Sequence, residues 1–249
     1  MPMLKRPDAE IYYEVHGAGF PILLYAPGGL TSRVEMWGGA SPNYPNGFPW
    51  MDPRIALADK YTVIAMDQRN AGKSVADVKP DHGWHTFAAD HLALIDHLGF
   101  KKFHVMGGCI GGSYCFEAIE QAPDRVASAV LQNPIGLWEN RENWDAAVKG
   151  YGETVRARDP SIPQSAIDSF GKNMFDTDFV FSVTRDFVKN CRTPLFLQPG
   201  SDKPHPAHTS EEIAALAPNI EVQTDWRGPT YLEKSIERVR DFLVRNTPK

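Results

Sequence analysis

The stretch Lys102-Phe103-His104-Val105-Met106-Gly107-Gly108-Cys109-Ile110-Gly111-Gly112 decides the fold of this 249-residue chain. It predicts a buried strand, a tight turn and the start of a helix. In the pattern G-x-nucleophile-x-G, glycines flank the central residue because the strained turn leaves little room for side chains. The central residue is Cys109, whose thiol is expected at a helix N-terminus, where the partial positive charge favours a thiolate.

A purely structural interpretation of the same residues remains open. Gly107, Gly108 and Gly111 could serve only to let strand and helix pack closely, with Cys109 as a small buried hydrophobe. The strand predicted before the turn and the helix predicted after it favour the nucleophile. Ser113 is not a candidate, because the frame Gly111-Gly112-Ser113-Tyr114-Cys115 lacks the closing glycine.

Apolar runs alternate with helical periodicities on both sides of this stretch, which is typical of a mostly parallel sheet flanked by helices. The fold class expected is therefore α/β. Strands are predicted at residues 11–15, 22–26, 62–66, 103–106, 127–132, 194–198 and 220–224. Helices are predicted around residues 87–98, from Cys109 to about Glu120, and around residues 232–243.

Two segments interrupt the alternation. Residues 27–60 are rich in Gly, Pro, Asn and Trp, and so long a connection is usually functional. Residues 137–190 read as short helices broken at Asp159-Pro160 and Ile162-Pro163. We interpret residues 137–190 as a helical lid that divides the core into residues 1–136 and 191–249. A longer crossover with one extra helix is the alternative.

Composition argues against several functional classes. The net charge of −5 gives no reason to expect nucleic acid as a partner, and the apolar runs are too short for a membrane span. The first residues lack the apolar stretch of a secretory signal, so a cytoplasmic protein is expected. Three cysteines form neither a disulfide framework nor a metal pair, and no phosphate loop is present, so no metal or cofactor is predicted. The expected partner is a small-molecule substrate, and a homodimer remains open.

The segment Asp67-Gln68-Arg69-Asn70-Ala71-Gly72-Lys73-Ser74 resembles the D-x-R-G-x-G-x-S turn of lid-bearing α/β-hydrolases. Together with the turn at Cys109, it makes the chain resemble the α/β-hydrolase superfamily over nearly its full length. Asn70 replaces a glycine, which is tolerated because Asn can adopt a positive φ. The G-x-C-x-G-G turn is similar to that of dienelactone hydrolase, whose nucleophile is cysteine. The rest of the chain does not follow that enzyme, so its substrate is not carried over.

The resemblance implies an oxyanion hole made of two N–H donors. One donor is the backbone N–H of Ile110, which follows the nucleophile. The second is expected after the strand at residues 22–26, where Ala26-Pro27-Gly28-Gly29-Leu30 replaces the His-Gly of many family members. Gly29 or Leu30 can supply it, and we assign Gly29. The alternative is that Pro27-Gly28-Gly29 is only a turn.

The resemblance also implies a triad acid after the strand at residues 194–198, where Asp202 is the only carboxylate between Pro199 and Pro206. A turn-forming Asp is the alternative. The family's histidine is expected in Trp226-Arg227-Gly228-Pro229-Thr230, yet no histidine follows His208. We therefore hypothesise that His205 is the base in a relocated triad of Cys109, His205 and Asp202, since triads are defined by geometry rather than order. The alternative is a His205 that merely lines the pocket.

Large apolar side chains of the two long segments predict an apolar cavity, with Leu30, Trp37 and Trp138 assigned to substrate binding. The same side chains could equally form the lid's own small core. The set is Met36, Trp37, Phe48, Trp50, Met51, Trp138, Phe170, Met174, Phe175, Phe179 and Phe181.

The leading functional hypothesis is a hydrolase that cleaves an ester, lactone or thioester of a small apolar or aromatic substrate through Cys109. An alternative enzyme is a carbon–carbon bond hydrolase or lyase on the same fold. A third hypothesis is a ligand-binding protein that lost catalysis together with the usual histidine.

Overall fold

A computed structural model describes residues 2–38 and 49–249 of the chain. Its centre is a nine-stranded sheet with the spatial order β1-β2-β4-β3-β6-β7-β8-β9, in which β5 pairs with β2. Strands β3, β4 and β6 to β9 are parallel, whereas β1, β2 and β5 are antiparallel. The strands are β1 Met3–Arg6, β2 Ala9–His16, β3 Phe20–Tyr25, β4 Tyr61–Met66, β5 Val75–Ala76, β6 Phe103–Gly108, β7 Val126–Gln132, β8 Leu195–Gln198 and β9 Ile220–Val222.

Helices cover both faces of the sheet, as a mostly parallel sheet requires because both of its faces are apolar. One hydrophobic core contains Phe87 of α2 and Phe116 of α3, and the other contains Val239 and Phe242 of α8. The helices are α1 Pro53–Ala56, α2 Trp84–His97, α3 Gly111–Gln121, α4 Arg141–Arg158, α5 Gln164–Phe175, α6 Arg185–Asn190, α7 Ala207–Leu216 and α8 Pro229–Asn246. The predicted α/β class with a mostly parallel sheet is confirmed.

All seven predicted strands are present, but the sequence analysis missed β1 and β5. Both are short strands that pair antiparallel with β2, and β5 has only two residues. Neither Met3–Arg6 nor Val75–Ala76 is long enough to display a period-two pattern. Residues 137–190 contain α4, α5 and α6, and their action as a lid stays a prediction.

The turn after β4 adopts a local structure that explains its sequence. Asn70 has φ +59, the left-handed conformation in which Asn replaces glycine at low cost. The Asp67 carboxylate accepts hydrogen bonds from the backbone N–H groups of Val34 (2.7 Å) and Lys73 (2.8 Å). These bonds tie the turn to the segment that follows β3.

The parallel strands bring several loops to one edge of the sheet. Tyr25 of β3 pairs with Gly107 of β6, Gly108 pairs with Gln132 of β7, and Gln132 pairs with Gln198 of β8. The loops that follow these four strands therefore meet at the carboxyl edge, where open parallel sheets bind ligands. Among the described helices, none combines the length and apolarity that a membrane crossing requires.

Candidate active site

Cys109 occupies the sharp turn between β6 and α3. Its φ of +59 lies in the left-handed region, which a cysteine rarely adopts. A Cβ on Gly107 would lie 2.0 Å from the carbonyl oxygen of Gly111, and a Cβ on Gly111 would lie 2.3 Å from that of Tyr25. Neither glycine can therefore be replaced without moving backbone. A strained residue held by such tight packing is typical of a functional turn.

The thiol of Cys109 is surrounded by hydrogen-bond donors. The backbone N–H groups of Ile110 and Gly28 and the side chain of His205 lie close enough to the sulfur to influence its pKa. Burial raises the pKa of the thiol, but the charge of His205 and the three nearby donor groups outweigh burial and lower the pKa below its ordinary value. The surroundings thus favour the thiolate, the nucleophilic form of cysteine.

Asp202 holds the imidazole of His205. The Nδ1 atom of His205 is hydrogen bonded to Asp202 Oδ1, and the backbone N–H of His205 donates to the same oxygen at 3.1 Å. Burial lowers the pKa of His205, but the charge on Cys109 and the hydrogen bond to Asp202 raise it to about 9. The shifts of Cys109 and His205 both favour a thiolate–imidazolium pair.

The other ring nitrogen of His205, Nε2, is buried and makes no hydrogen bond of standard geometry within residues 2–38 and 49–249. The charge of the His205 imidazole nevertheless affects the Cys109 thiol, since each group shifts the pKa of the other. The structure thus brings together Cys109, His205 and Asp202.

The second N–H donor at the sulfur belongs to Gly28, whereas the sequence analysis assigned Gly29. Gly28 has φ +123 and ends the extended backbone, and Gly29 already begins a short 3₁₀ helix, Gly29–Thr31. The turn therefore starts one residue earlier than expected. The N–H of Ile110 also lies near the sulfur, and its role in an oxyanion hole stays a prediction.

A cavity of about 580 Å³ opens over the thiol. Its wall includes Met36, Trp50, Gly108, Asn133, His205 and Trp226 in addition to Cys109. Trp226 donates from Nε1 to the carbonyl oxygen of Pro199 at 3.1 Å, and its ring centroid lies 5.9 Å from that of Trp50. Two indole rings thus form one side of the cavity.

The three residues assigned to substrate binding do not line this cavity. Leu30 is 3% exposed and Trp37 is 1% exposed, and both lie in the cores that flank the sheet. Trp37 packs beneath Gly108, because a Cβ on that glycine would lie 3.6 Å from its ring. Trp138 is 48% exposed and stacks on His208 with ring centroids 3.5 Å apart. The structure therefore places none of the three at this cavity, and their role in substrate binding stays a prediction.

The aromatic side chains of α5 and of the segment after it are buried against one another. They therefore form a small core of their own, which was the alternative to lining a cavity. Phe175 stacks on Trp144 at 5.2 Å and meets Phe181 edge to face at 5.2 Å. Met36 and Trp50 do line the cavity, whereas Phe48 lies outside the described residues.

Sequence reasoning missed Asn133 and Arg227. Arg227 donates from Nη2 to Asn133 Oδ1 and, at 3.3 Å, to the carbonyl oxygen of Pro199. Its guanidinium lies 4.5 Å from the ring centroid of Trp226. Trp226 and Arg227 occupy the loop in which the resemblance placed a histidine. The position of Asn133 directly after a predicted strand was the available signal.

Two other histidines are structural. Burial lowers the pKa of His91 to about 3 and that of His104 to about 4, so both rings are neutral. His91 Nε2 pairs with Gln68 Oε1 at 2.8 Å, and His104 Nδ1 pairs with Ser128 Oγ at 2.8 Å. In residues 2–38 and 49–249, no three His, Cys, Asp or Glu side chains are arranged to hold a metal.

Comparison with known proteins gives a family model and several relatives. The model described as alpha/beta hydrolase fold matches residues 21–235. A protein of Azorhizobium caulinodans named putative carbamate hydrolase RutD is 38% identical over 133 residues, which are 53% of this chain and 44% of the relative. The chain thus spans less than half the length of this relative.

Two solved structures share the fold along nearly the whole chain. An esterase from Thermogutta terrifontis superposes with a TM-score of 0.72 at 20% identity, covering 99% of this chain and 100% of the esterase. The meta-cleavage product hydrolase of Pseudomonas fluorescens IP01 superposes with a TM-score of 0.68 at 18% identity, covering 96% of each chain. At such identities, the likeness shows the fold alone.

Proposed function

Since the chain belongs to the α/β-hydrolase fold family, we propose that it is a hydrolase and that Cys109 attacks a small ester, lactone or thioester. The observation that carries this proposal is the set of groups around one sulfur atom. The N–H groups of Ile110 and Gly28 and the imidazole of His205 lie near the thiol, and Asp202 holds the imidazole in place. These are the parts that acyl transfer requires.

In the first step, the Cys109 thiolate attacks the carbonyl carbon and the carbonyl oxygen becomes an oxyanion. Before attack, the N–H groups of Ile110 and Gly28 face the negative sulfur. As the carbon–sulfur bond forms, the negative charge moves to the oxygen, which these two donors then stabilise. The loss of one such donor typically slows a reaction by about 100 to 1000-fold.

His205 moves the protons in this scheme. Its Nε2 proton passes to the leaving oxygen or sulfur as the substrate bond breaks, which leaves an acyl group on Cys109 and a neutral imidazole. Nε2 then takes a proton from water, whose oxygen attacks the thioester carbon and releases the acid. The carbon–sulfur bond breaks, and the thiolate and imidazolium are restored. Asp202 keeps the ring oriented throughout, as the acid of a triad does.

The carbamate named for the relative from Azorhizobium also contains a carbonyl carbon that a thiolate can attack. A carbamate can be cleaved at either of two bonds. In one of these cleavages the leaving group is an amine rather than an alcohol or thiol, and its nitrogen must be protonated before it departs. The imidazolium of His205 can supply that proton. Esters and thioesters, which need less help from an acid, remain the substrates that we propose.

Mass spectrometry of the acyl-enzyme tests the proposal. The protein is mixed with 4-nitrophenyl butyrate, and we expect a burst of 4-nitrophenol together with a butyryl group on Cys109. Cys109→Ala should remove both signals. Cys191→Ala is the matched control, because Cys191 is buried and does not line the cavity. Undiminished turnover in Cys109→Ala would overturn the nucleophile.

Reaction in water enriched in ¹⁸O separates a hydrolase from a lyase. A hydrolase must place the label in the released acid, whereas a lyase forms product without it. A ligand-binding protein without catalysis gives no burst at all.

A further inference from the structure

Asn133 is a buried polar residue on the wall of the cavity. It follows β7 directly, lines the cavity over Cys109 and is 5% exposed. Its φ of +52 lies in the left-handed region, which Asn tolerates better than most residues. Its backbone N–H donates to the carbonyl oxygen of Gln198 at 2.7 Å. The side chain is thus fixed to the cavity wall by backbone geometry.

Arg227 determines which end of the Asn133 amide faces outward. A guanidinium can only donate hydrogen bonds, so the atom that it contacts must be the amide oxygen, Oδ1. The nitrogen, Nδ2, therefore occupies the other end of the amide. Nδ2 has no acceptor in the described part of the chain, and it is not sealed from solvent. Because Asn133 lines the cavity, its unused N–H groups are available to a molecule that binds there.

The guanidinium bonded to this amide favours an anion. Arg227 donates to the Asn133 amide oxygen and is held by Pro199 and by the face of the Trp226 ring. Asp202 is the only carboxylate on the described cavity wall, and its Oδ1 is already engaged by His205. A hydrogen bond from Nδ2 to an anionic oxygen would gain from the guanidinium, because charge-assisted hydrogen bonds are stronger than neutral ones.

We propose that Asn133 and Arg227 form a subsite for a carboxylate carried by the acyl part of the substrate. This inference rests on the proposed function and names the substrate class of the same site. Nδ2 of Asn133 donates to a carboxylate oxygen, and Arg227 supplies positive charge through the amide. Met36, Trp50 and Trp226 contact the hydrocarbon chain between the carboxylate and the reacting carbonyl. The substrate is therefore a half-ester, half-thioester or carboxylated lactone, rather than a wholly apolar one.

Two esters of similar length test the subsite kinetically. One is 4-nitrophenyl hydrogen succinate, and the other is 4-nitrophenyl pentanoate, which has an alkyl end in place of the carboxylate. We expect the wild-type protein to prefer the succinate ester in kcat/KM by roughly tenfold to a hundredfold, the effect of one hydrogen bond to a charged group. Equal kcat/KM values for the two esters would overturn the subsite.

Asn133→Asp is the informative variant. It keeps Oδ1 for Arg227, replaces the donor nitrogen with an acceptor oxygen and repels a carboxylate. We expect the preference for the succinate ester to fall to about one or below, mainly through its KM. The matched control is Asn219→Asp, the same substitution at an exposed position before β9, which should keep the wild-type ratio. An unchanged ratio in Asn133→Asp would contradict the subsite.

A binding experiment separates the subsite from the proposed catalysis. Titration of the Cys109→Ala protein with butyrate and with the neutral butyramide, followed by calorimetry, requires no turnover. We expect tighter binding of butyrate, and loss of that difference when Asn133→Asp is added. If this difference in binding were found but the wild-type protein had no esterase activity, the subsite would be supported and the proposed hydrolase refuted. If the wild-type protein turned over both esters without a preference for the carboxylate, the hydrolase would be supported and the subsite refuted. Should Asn133→Asp fail to fold, the wild-type ratio and the butyrate titration still decide.

Discussion

Asp202 and His205 face each other within one four-residue turn. The backbone N–H of His205 donates to the Asp202 carbonyl oxygen at 3.0 Å, the N–H of Asp202 donates back at 3.3 Å, and Asp202 Oδ1 is bonded to the imidazole. Asp202 and His205 thus lie together in the loop after β8, and the loop after β9 contains no histidine. That second loop supplies Trp226 and Arg227 to the cavity region instead.

Replacing His205 should impair proton transfer while leaving the thiol in place. We expect His205→Asn to lower kcat for 4-nitrophenyl butyrate by about 100 to 10,000-fold, the usual contribution of a positioned acid and base. The acyl-enzyme should accumulate, because deacylation needs the base more than thiolate attack does. Stopped-flow release of 4-nitrophenol with mass spectrometry of the protein measures both effects.

His208→Asn is the control for that variant. His208 stacks on Trp138 and does not line the cavity, so its loss should leave kcat unchanged. Normal deacylation in His205→Asn would show that another group is the base.

The reactivity of Cys109 toward iodoacetamide should follow the pKa shifts of the pair. Because the pKa of the thiol is lowered, the alkylation rate should rise at a lower pH than that of a free cysteine. As the pH passes about 9, His205 loses its proton and the imidazolium no longer supports the thiolate or protonates a leaving group. The pH profile of kcat/KM should therefore rise with ionisation of the thiol and fall near pH 9.

His205→Asn provides the comparison for this measurement. Without the imidazolium, the alkylation midpoint should move to higher pH, because the charge of His205 is the leading favourable influence on the thiolate. If the alkylation midpoint of Cys109 in the wild-type protein equalled that of free cysteine, the ion pair would be refuted.

Removal of the Asp202 charge should shift the basic limb of the pH profile. Asp202 raises the pKa of His205, so Asp202→Asn should lower that pKa and move the fall in kcat/KM to lower pH. Activity at the optimum should drop by about 100-fold or more, since the asparagine amide can bind the wrong tautomer of the ring. Ser201→Asn, on the neighbouring exposed residue, should leave the profile unchanged. An unshifted basic limb in Asp202→Asn would show that Asp202 does not act on His205.

Much of this site could be predicted because its signals are local in sequence. The glycines around Cys109 predict the turn. Asp202 and His205 are three residues apart, so a single loop brings them together. The contact between Asn133 and Arg227 joins residues 94 positions apart, which no local pattern reveals. The direction of a side chain in a long connection is also hidden. The apolar ring of Trp37 suits either a cavity wall or a core. In the structure it packs beneath Gly108 and belongs to the core.

A last prediction concerns the stability of the turn itself. Gly111→Ala would place a Cβ 2.3 Å from the backbone oxygen of Tyr25, and a backbone atom cannot move away as a flexible side chain can. We expect a loss of about 1–3 kcal/mol in the free energy of unfolding, typical of overpacking in a core. For a domain of this size, each kcal/mol corresponds to a fall of about 2–4 °C in Tm.

Gly150→Ala is the opposite case with the same substitution. Gly150 lies inside α4, and an added Cβ meets no atom within 4 Å, so the variant should gain about 0.5–1 kcal/mol from helix propensity. Differential scanning calorimetry compares the two variants directly. If Gly111→Ala matched or exceeded the Tm of Gly150→Ala, the turn would have room to relax. The tight packing that holds Cys109 at a positive φ would then not exist, and the main structural support for a nucleophile at this position would be lost.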